Sequence, residues 1–225
     1  MLFSGKKSDD STIVELLASS LRRDIAFGAL LPDQKLKINE LRARYGGSNH
    51  SMRETLQILS TEGLVEATAQ RGFRVTSATE DDVRDIQMVR FEVEKIALSR
   101  SITQGDINWE GRVMAAHHAL QKTEADVATS PDDLIALKWD EACRAFSFAL
   151  IEACNSPRLI DLHRKFFDQS RRFRLAQMRE GRLDWAARKC RQKGLLEAVL
   201  ARNEDDALRI LQEDLDAELR HEKNK

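Results

Sequence analysis

The sequence predicts a mainly α protein: an N-terminal helical module closed by a small β-hairpin, followed by a C-terminal bundle of six helices. Three observations predict it. Apolar residues recur at helical spacing from Ser11 to Phe27 and again, in six successive segments, beyond Thr79. The run Gly46-Gly47-Ser48-Asn49-His50-Ser51-Met52-Arg53 has the form of a turn opening into a helix. The segment from Val65 to Val75, with Gly72 near its middle, has the length and punctuation of a hairpin.

Taken in order, the first helix carries Leu16, Leu17, Leu21 and Ile25, with Ser11 and Thr12 available as caps, and ends at the Gly28 to Pro32 turn. A short second helix covers Ile38 to Tyr45. Gly46 and Gly47 break it at low steric cost, and Ser48 caps a third helix buried through Met52, Leu56 and Leu59. Asn49, His50, Ser51 and Arg53 then surround the N-terminal end of that helix, the end at which a recognition helix meets base edges. Gly63 ends it, and the hairpin follows. Thr79-Glu80-Asp81-Asp82 reads as a cap with an acidic first turn, which places a domain boundary between residues 1–78 and 79–225. The six later helices are expected at about residues 80–101, 109–128, 131–153, 157–179, 183–201 and 204–222, with Pro131 and Pro157 at helix starts.

The 225 residues, 42% hydrophobic, suit two modest domains better than one. Overall charge is balanced, 36 Lys and Arg against 37 Asp and Glu. Residues 1–78 hold eleven basic and nine acidic side chains, leaving 25 and 28 for the rest. The small positive bias sits on the module that would meet phosphates. Cys143, Cys154 and Cys190 have neither disulfide nor zinc-knuckle spacing, and their odd number suits a reducing compartment. No long apolar run or secretory pattern is present, so a cytoplasmic protein with no membrane segment is expected.

The run from Ile13 to Val75 resembles the winged helix-turn-helix domain of GntR-family bacterial transcription regulators. The resemblance rests on Leu16, Leu17, Leu21, Ile25 and Gly28, on Leu31-Pro32 and Leu36, on Glu40-Leu41, on Ser48 to Leu56, on Glu62-Gly63-Leu64-Val65 and on Arg71-Gly72. Two departures stand out. Asn49-His50-Ser51-Met52 replaces the common Arg-Thr-Pro-Val, and Asp33 replaces a glycine. The resemblance implies a homodimer on double-stranded operator DNA with two half-sites. Arg42 and Arg44 would anchor phosphates, and Ser48, Asn49, His50, Ser51 and Arg53 would stand at the bases. Arg71 and Gly72 would enter the minor groove. The alternative for each is a cap, a turn or a solvated surface charge.

The C-terminal half is similar to the FCD class of effector domain, in its six-helix, VanR-like form. Val89-Arg90 with Glu94 and Ala97, the run from Ala145 to Leu159, and Leu195 to Arg202 carry the similarity. Many FCD domains hold a divalent metal, and the matching blocks put its four ligand positions at Cys143, Ser147, Gln192 and Asp214. None of these is histidine, and a serine hydroxyl and a glutamine amide are poor ligands for zinc or nickel, so no metal or other cofactor is expected. Arg90, Cys143, Ser147, Gln192 and Asp214 would instead line a pocket for a small organic acid or amine-bearing metabolite. The resemblance implies a ligand-responsive regulator, most simply a repressor, and not an enzyme. Two alternatives stay open: an effector domain that has become purely structural, and an enzyme using Cys143, which has no histidine base at a pocket position.

Overall fold

A computed structural model describes residues 5–68, 72–129 and 132–219, the side chains of residues 5–11, 68 and 219 excepted. Contacts divide the chain after Asp82 into two compact units.

The first unit begins with α1 (Gly5–Ala26). It starts earlier than expected, so Ser11 and Thr12 lie inside the helix and do not cap it; no proline precedes them to stop it. A two-residue strand β1 (Lys35–Leu36) leads into α2 (Ile38–Tyr45) and α3 (Asn49–Thr61), and the hairpin is β2 (Val65–Thr68) and β3 (Gly72–Val75). The sheet order is β1-β3-β2, antiparallel throughout, with Lys35 opposite Arg74 and Val65 opposite Val75. Leu17, Leu21, Ile25, Leu41, Met52, Leu56 and Leu59 meet in one core with Val65 and Val75 from the wing. Burying such side chains contributes roughly 1.5–3 kcal/mol each. Asp33, at the position where the resemblance puts a glycine, has a φ of 62° and donates its N–H to the Val75 carbonyl at 3.1 Å. An aspartate tolerates this left-handed geometry better than most residues.

The second unit is helical: α4 (Glu80–Gln104), α5 (Ile107–Thr129), α6 (Asp133–Ile151), α7 (Pro157–Arg179), α8 (Trp185–Leu200) and α9 (Glu204–Leu219), with a 3-10 turn at Glu152–Cys154. Helix α5 packs on α6 and α8, α6 on α7, and α8 on α9. The ends are set by side chains. Thr79 and Asp82 exchange bonds at the start of α4, Asp132 caps α6, Ser156 caps α7 with Pro157 in its first turn, and Asp184 caps α8. Pro131, Arg71 and Glu222 lie outside the described residues. Trp109 and Trp139 are fully buried, and the Trp109 indole donates to the Ala149 carbonyl at 2.7 Å. The helices thus share an interior that is apolar at the tryptophans but ionic between α4, α6, α7 and α8.

Candidate functional site

In the first unit, two consecutive glycines at positive φ, Gly46 at 82° and Gly47 at 80°, turn the chain from α2 into α3. A Cβ on Gly47 would come within 2.9 Å of a Leu17 methyl and 3.0 Å of the Ser51 hydroxyl, so both backbone and packing require glycine there. Ser48 and Ser51 form a reciprocal cap: the Ser51 N–H donates to Ser48 Oγ at 3.0 Å and the Ser48 N–H to Ser51 Oγ at 2.8 Å. Ser51, expected to face the bases, is buried, and its hydroxyl is taken up by this cap, so it positions the helix and does not project from it.

The other residues of this end lie as follows. Asn49 is exposed, and its Oδ1 accepts from Arg42 at 3.0 Å, while Arg42 Nε donates to the Gly47 carbonyl at 3.2 Å. Arg42 therefore braces the turn. Arg44 donates to Asp24 at 2.6 Å, sharing one carboxylate oxygen with the Tyr45 hydroxyl. Burial, and then that carboxylate, push the Tyr45 phenol upward and keep it a hydrogen-bond donor. The His50 side chain is 86% exposed, 3.9 Å from Glu54. Arg53 is exposed and makes no hydrogen bond or ion pair among the described residues; Glu62 is instead bound by Arg22, at 2.7 and 2.9 Å. Gly72 opens β3 at a φ of 85°, opposite Thr68.

With Met52, Thr55, Leu56 and Leu59 buried, the outward stripe of α3 is His50, Arg53, Glu54 and Gln57. Gln57 went unnoticed in the sequence, although its spacing of four from Arg53 places it on this face. Donors and acceptors on a helix face open to solvent are what base-edge reading needs.

In the second unit, Arg90, Cys143, Ser147, Gln192 and Asp214 all line one cavity of about 40 Å3, together with Arg174, Arg188, Glu94 and Glu218. A second hollow of about 130 Å3 shares Arg188, Asp214 and Glu218 with it. The first volume holds a water or two, not an organic molecule, because three arginine side chains fill the space.

Arg90 donates to Glu94 at 3.0 Å and to Ser170 and Glu218 at 3.2 Å each. Burial pushes the Glu94 carboxyl up, but Arg90 and His163 outweigh it and hold the group at about 2. Arg174 reaches Asp140 through Nε at 3.0 Å and Nη2 at 2.5 Å, while Arg171 binds the other carboxylate oxygen. Arg90 and Arg174 also stand 4.9 and 4.0 Å from the Phe167 ring centre. Arg188 donates to Glu124 at 2.9 Å and to Cys143 Sγ at 3.3 Å. Gln192 Nε2 donates to the same Glu124 oxygen at 3.0 Å, whereas its Oε1 is buried with no partner among the described residues. Asp214 accepts from Arg191 at 2.9 Å.

Comparison with known proteins decides what these two sites belong to. Residues 14–75 match the bacterial regulatory proteins of the gntR family, and residues 85–217 match the FCD domain. The chain belongs to the GntR family and carries an FCD domain. It is 34% identical over 159 residues to the HTH-type transcriptional repressor GlaR of Escherichia coli (strain K12), covering 71% of each chain. It is 38% identical over 145 residues to the uncharacterized HTH-type transcriptional regulator BphR of Paraburkholderia xenovorans (strain LB400), a match spanning 64% of this chain but only 59% of that relative. Among solved structures, E. coli McbR/YncC superposes with a TM-score of 0.69 at 17% identity, over 91% of this chain and 93% of that one. A GntR transcriptional regulator from Rhodococcus sp. RHA1 superposes at 0.70 and 25%, over 91% and 95%.

The protein is thus a DNA-binding transcription regulator and not an enzyme. Cys143 fits that conclusion: burial pushes its thiol up to about 12, Arg188 offsetting only part of the effect, so no nucleophilic thiolate forms near neutral pH. No described helix is long and apolar enough to cross a membrane. The metal that FCD domains commonly hold does not fit these residues. Cys143 is a protonated thiol under an arginine, Gln192 and Ser147 are weak donors, and Asp214 is committed to Arg191. Among the described residues no three His, Cys, Asp or Glu side chains are grouped to hold a metal ion.

Proposed function

We propose that this protein is a cytoplasmic, homodimeric repressor whose operator affinity is set by a small anionic metabolite bound in the arginine-lined cavity of residues 83–225. The observation that carries the reading is the cavity itself: Arg90, Arg174 and Arg188 and the unpartnered Gln192 Oε1 surround it in a buried interior. Buried polar groups without partners are costly and rare away from functional sites. A carboxylate fits this lining better than an amine, since the guanidiniums offer forked donors. Entry requires the arginines to move apart, because about 40 Å3 is too small for any organic effector.

On the DNA side, His50, Arg53 and Gln57 would read base edges with Asn49, while Arg42 and Arg44 would meet phosphates and Gly72, with Arg71, the minor groove. Repression is supported by the relative named as a repressor. Effector binding would act by favouring one arrangement of the paired DNA heads over the other, which requires unequal affinity for the two.

A second reading is favoured by the small cavity: an effector domain that only dimerises. The experiment that separates them is a melting-temperature screen of chelator-treated protein against small carboxylates and amines. Stabilisation by a carboxylate that also shifts operator binding supports the sensor; a panel with no stabilising compound supports the structural domain.

A further inference from the structure

We propose that the cleft between α6 and α7 is a further ligand site of the FCD domain, one that takes a carboxylate carried on a flat apolar body. It has a volume of about 430 Å3, whereas the arginine-filled cavity has about 40 Å3, and the two share Phe167 among the residues that line them. The larger volume falls in the range of about 300–1,000 Å3 that small-molecule sites use. Its occupation does not depend on the arginine-filled cavity holding an effector.

Helical spacing builds the cleft. Glu141, Ala145 and Phe148 recur at four and three residues on α6 and so share one side, as do His163 and Phe167 on α7. Ala145 is exposed, and its single methyl leaves the space that a larger side chain would fill. Phe148 and Phe167 supply apolar wall, and the Arg164 guanidinium stands 5.2 Å from the Phe148 ring centre. His163 is 1% exposed yet lines the cleft; its Nδ1 meets Glu94 at 3.2 Å, and its Nε2 makes no hydrogen bond among the described residues. Glu94 is in turn bound by Arg90 at 3.0 Å, so this imidazole connects the cleft to the interior ion pairs. A buried ring nitrogen left open beside an apolar cleft is a polar point at which a ligand is oriented.

Two arguments set the class of ligand. The first is charge. Neither Arg144 nor Arg164 makes a hydrogen bond among the described residues, and their closest carboxylate contacts are Asp168 at 3.5 Å and Asp161 at 3.8 Å. The buried Arg90, Arg174 and Arg188 are held far more closely, at 3.0, 2.5 and 2.9 Å. Two guanidiniums and one carboxylate line the cleft, and that carboxylate, Glu141, is shared between Arg144 at 3.9 Å and Arg171 at 3.8 Å. The forked donors of Arg144 and Arg164 are therefore open to an arriving carboxylate. The second is the apolar wall. An exposed ion pair alone binds weakly, so Phe148, Phe167 and Ala145 must supply most of the affinity, and a ligand without an apolar body would not be retained.

The test is calorimetric titration of the full chain with naphthoate, with naphthalene methanol as the neutral analogue and acetate as the anion without a body. Naphthoate is expected to bind with a dissociation constant of about 1 mM or tighter, the alcohol at least about tenfold more weakly, and acetate not measurably. Replacing both rim cations, Arg144→Ser with Arg164→Ser, should weaken naphthoate about tenfold. Ala145→Phe, which fills the cleft from an exposed position, should abolish binding, whereas Ser147→Val, on the arginine-filled cavity, should leave it within about twofold. Absence of naphthoate binding would overturn the proposal, as would equal binding of the alcohol or binding that survives Ala145→Phe. So would a change from dimer to monomer on Ala145→Phe in light scattering, since a second copy of the chain would then be what covers the cleft. Should Ala145→Phe fail to fold, the double arginine variant decides, and unchanged affinity there overturns the site. No operator enters these readouts, so they stand apart from the fate of the sensor reading.

Discussion

Arg53 in the first unit and the buried arginines of the second do opposite things. On α3, Arg53 projects into solvent without a partner among the described residues, and Arg44 remains half-exposed while it touches Asp24. In the second unit, Arg90, Arg174 and Arg188 are buried and bonded to Glu94, Asp140 and Glu124. An exposed cation costs little to hold and keeps its charge for an arriving polyanion, whose counterions it releases. A buried cation must be matched by a carboxylate to exist at all, and it then serves as a directional donor more than as a charge. The contrast teaches that near-zero net charge conceals two electrostatic designs, one of exposed cations and one of buried, neutralised cations.

Breaking the buried side should have the largest effect. Asp140→Asn leaves Arg174 and Arg171 without their shared anion and is expected to destabilise the second unit by about 3–5 kcal/mol, read as a lower urea midpoint. The next largest effect is on acid stability. Glu94 titrates near 2 when folded against a usual 4.5, so its contribution is complete above about pH 4.5 and fades as pH falls toward 2. It amounts to about 3 kcal/mol, and Glu94→Gln should remove it and flatten that limb of the stability–pH curve. Had the group been raised instead, the loss would run in the other direction.

On the exposed side, Arg53→Ala should weaken operator binding by about 1–3 kcal/mol while leaving the melting temperature within about a degree. A change in melting temperature with unaltered affinity would mean that Arg53 is structural. The smallest effect is expected at Asp33. Its φ of 62° is left-handed, so Asp33→Gly should stabilise the first unit by up to about 1 kcal/mol in thermal unfolding, less whatever the 3.9 Å contact with Arg74 contributes.

Much of this was legible in the sequence because it rests on local rules. The Ile38–Tyr45 helix, the Ser48 cap and the six later helices follow from apolar spacing and from Gly, Ser, Asp and Pro at element ends. Strand β1 was not legible, since two residues carry no period and pair only through a distant hairpin. The burial of Ser51 was hidden for a similar reason: a serine at the third helical position reads equally as a cap partner or as a contact. Arg90, Cys143, Ser147, Gln192 and Asp214 line one cavity, but Arg174 and Arg188, which line it too, did not emerge from the sequence. Arg174 and Arg188 look like solvated charges until Asp140 and Glu124, some 34 and 64 residues away in sequence, are placed beside them.

Coupling between the cavity and the DNA-binding unit is tested by titrating operator DNA with chelator-treated protein, with and without the carboxylate that most raises its melting temperature. Operator affinity is expected to change at least about fivefold with no added metal. Ligand binding that leaves operator affinity unchanged, or a response that appears only when zinc or nickel is restored, would contradict that expectation.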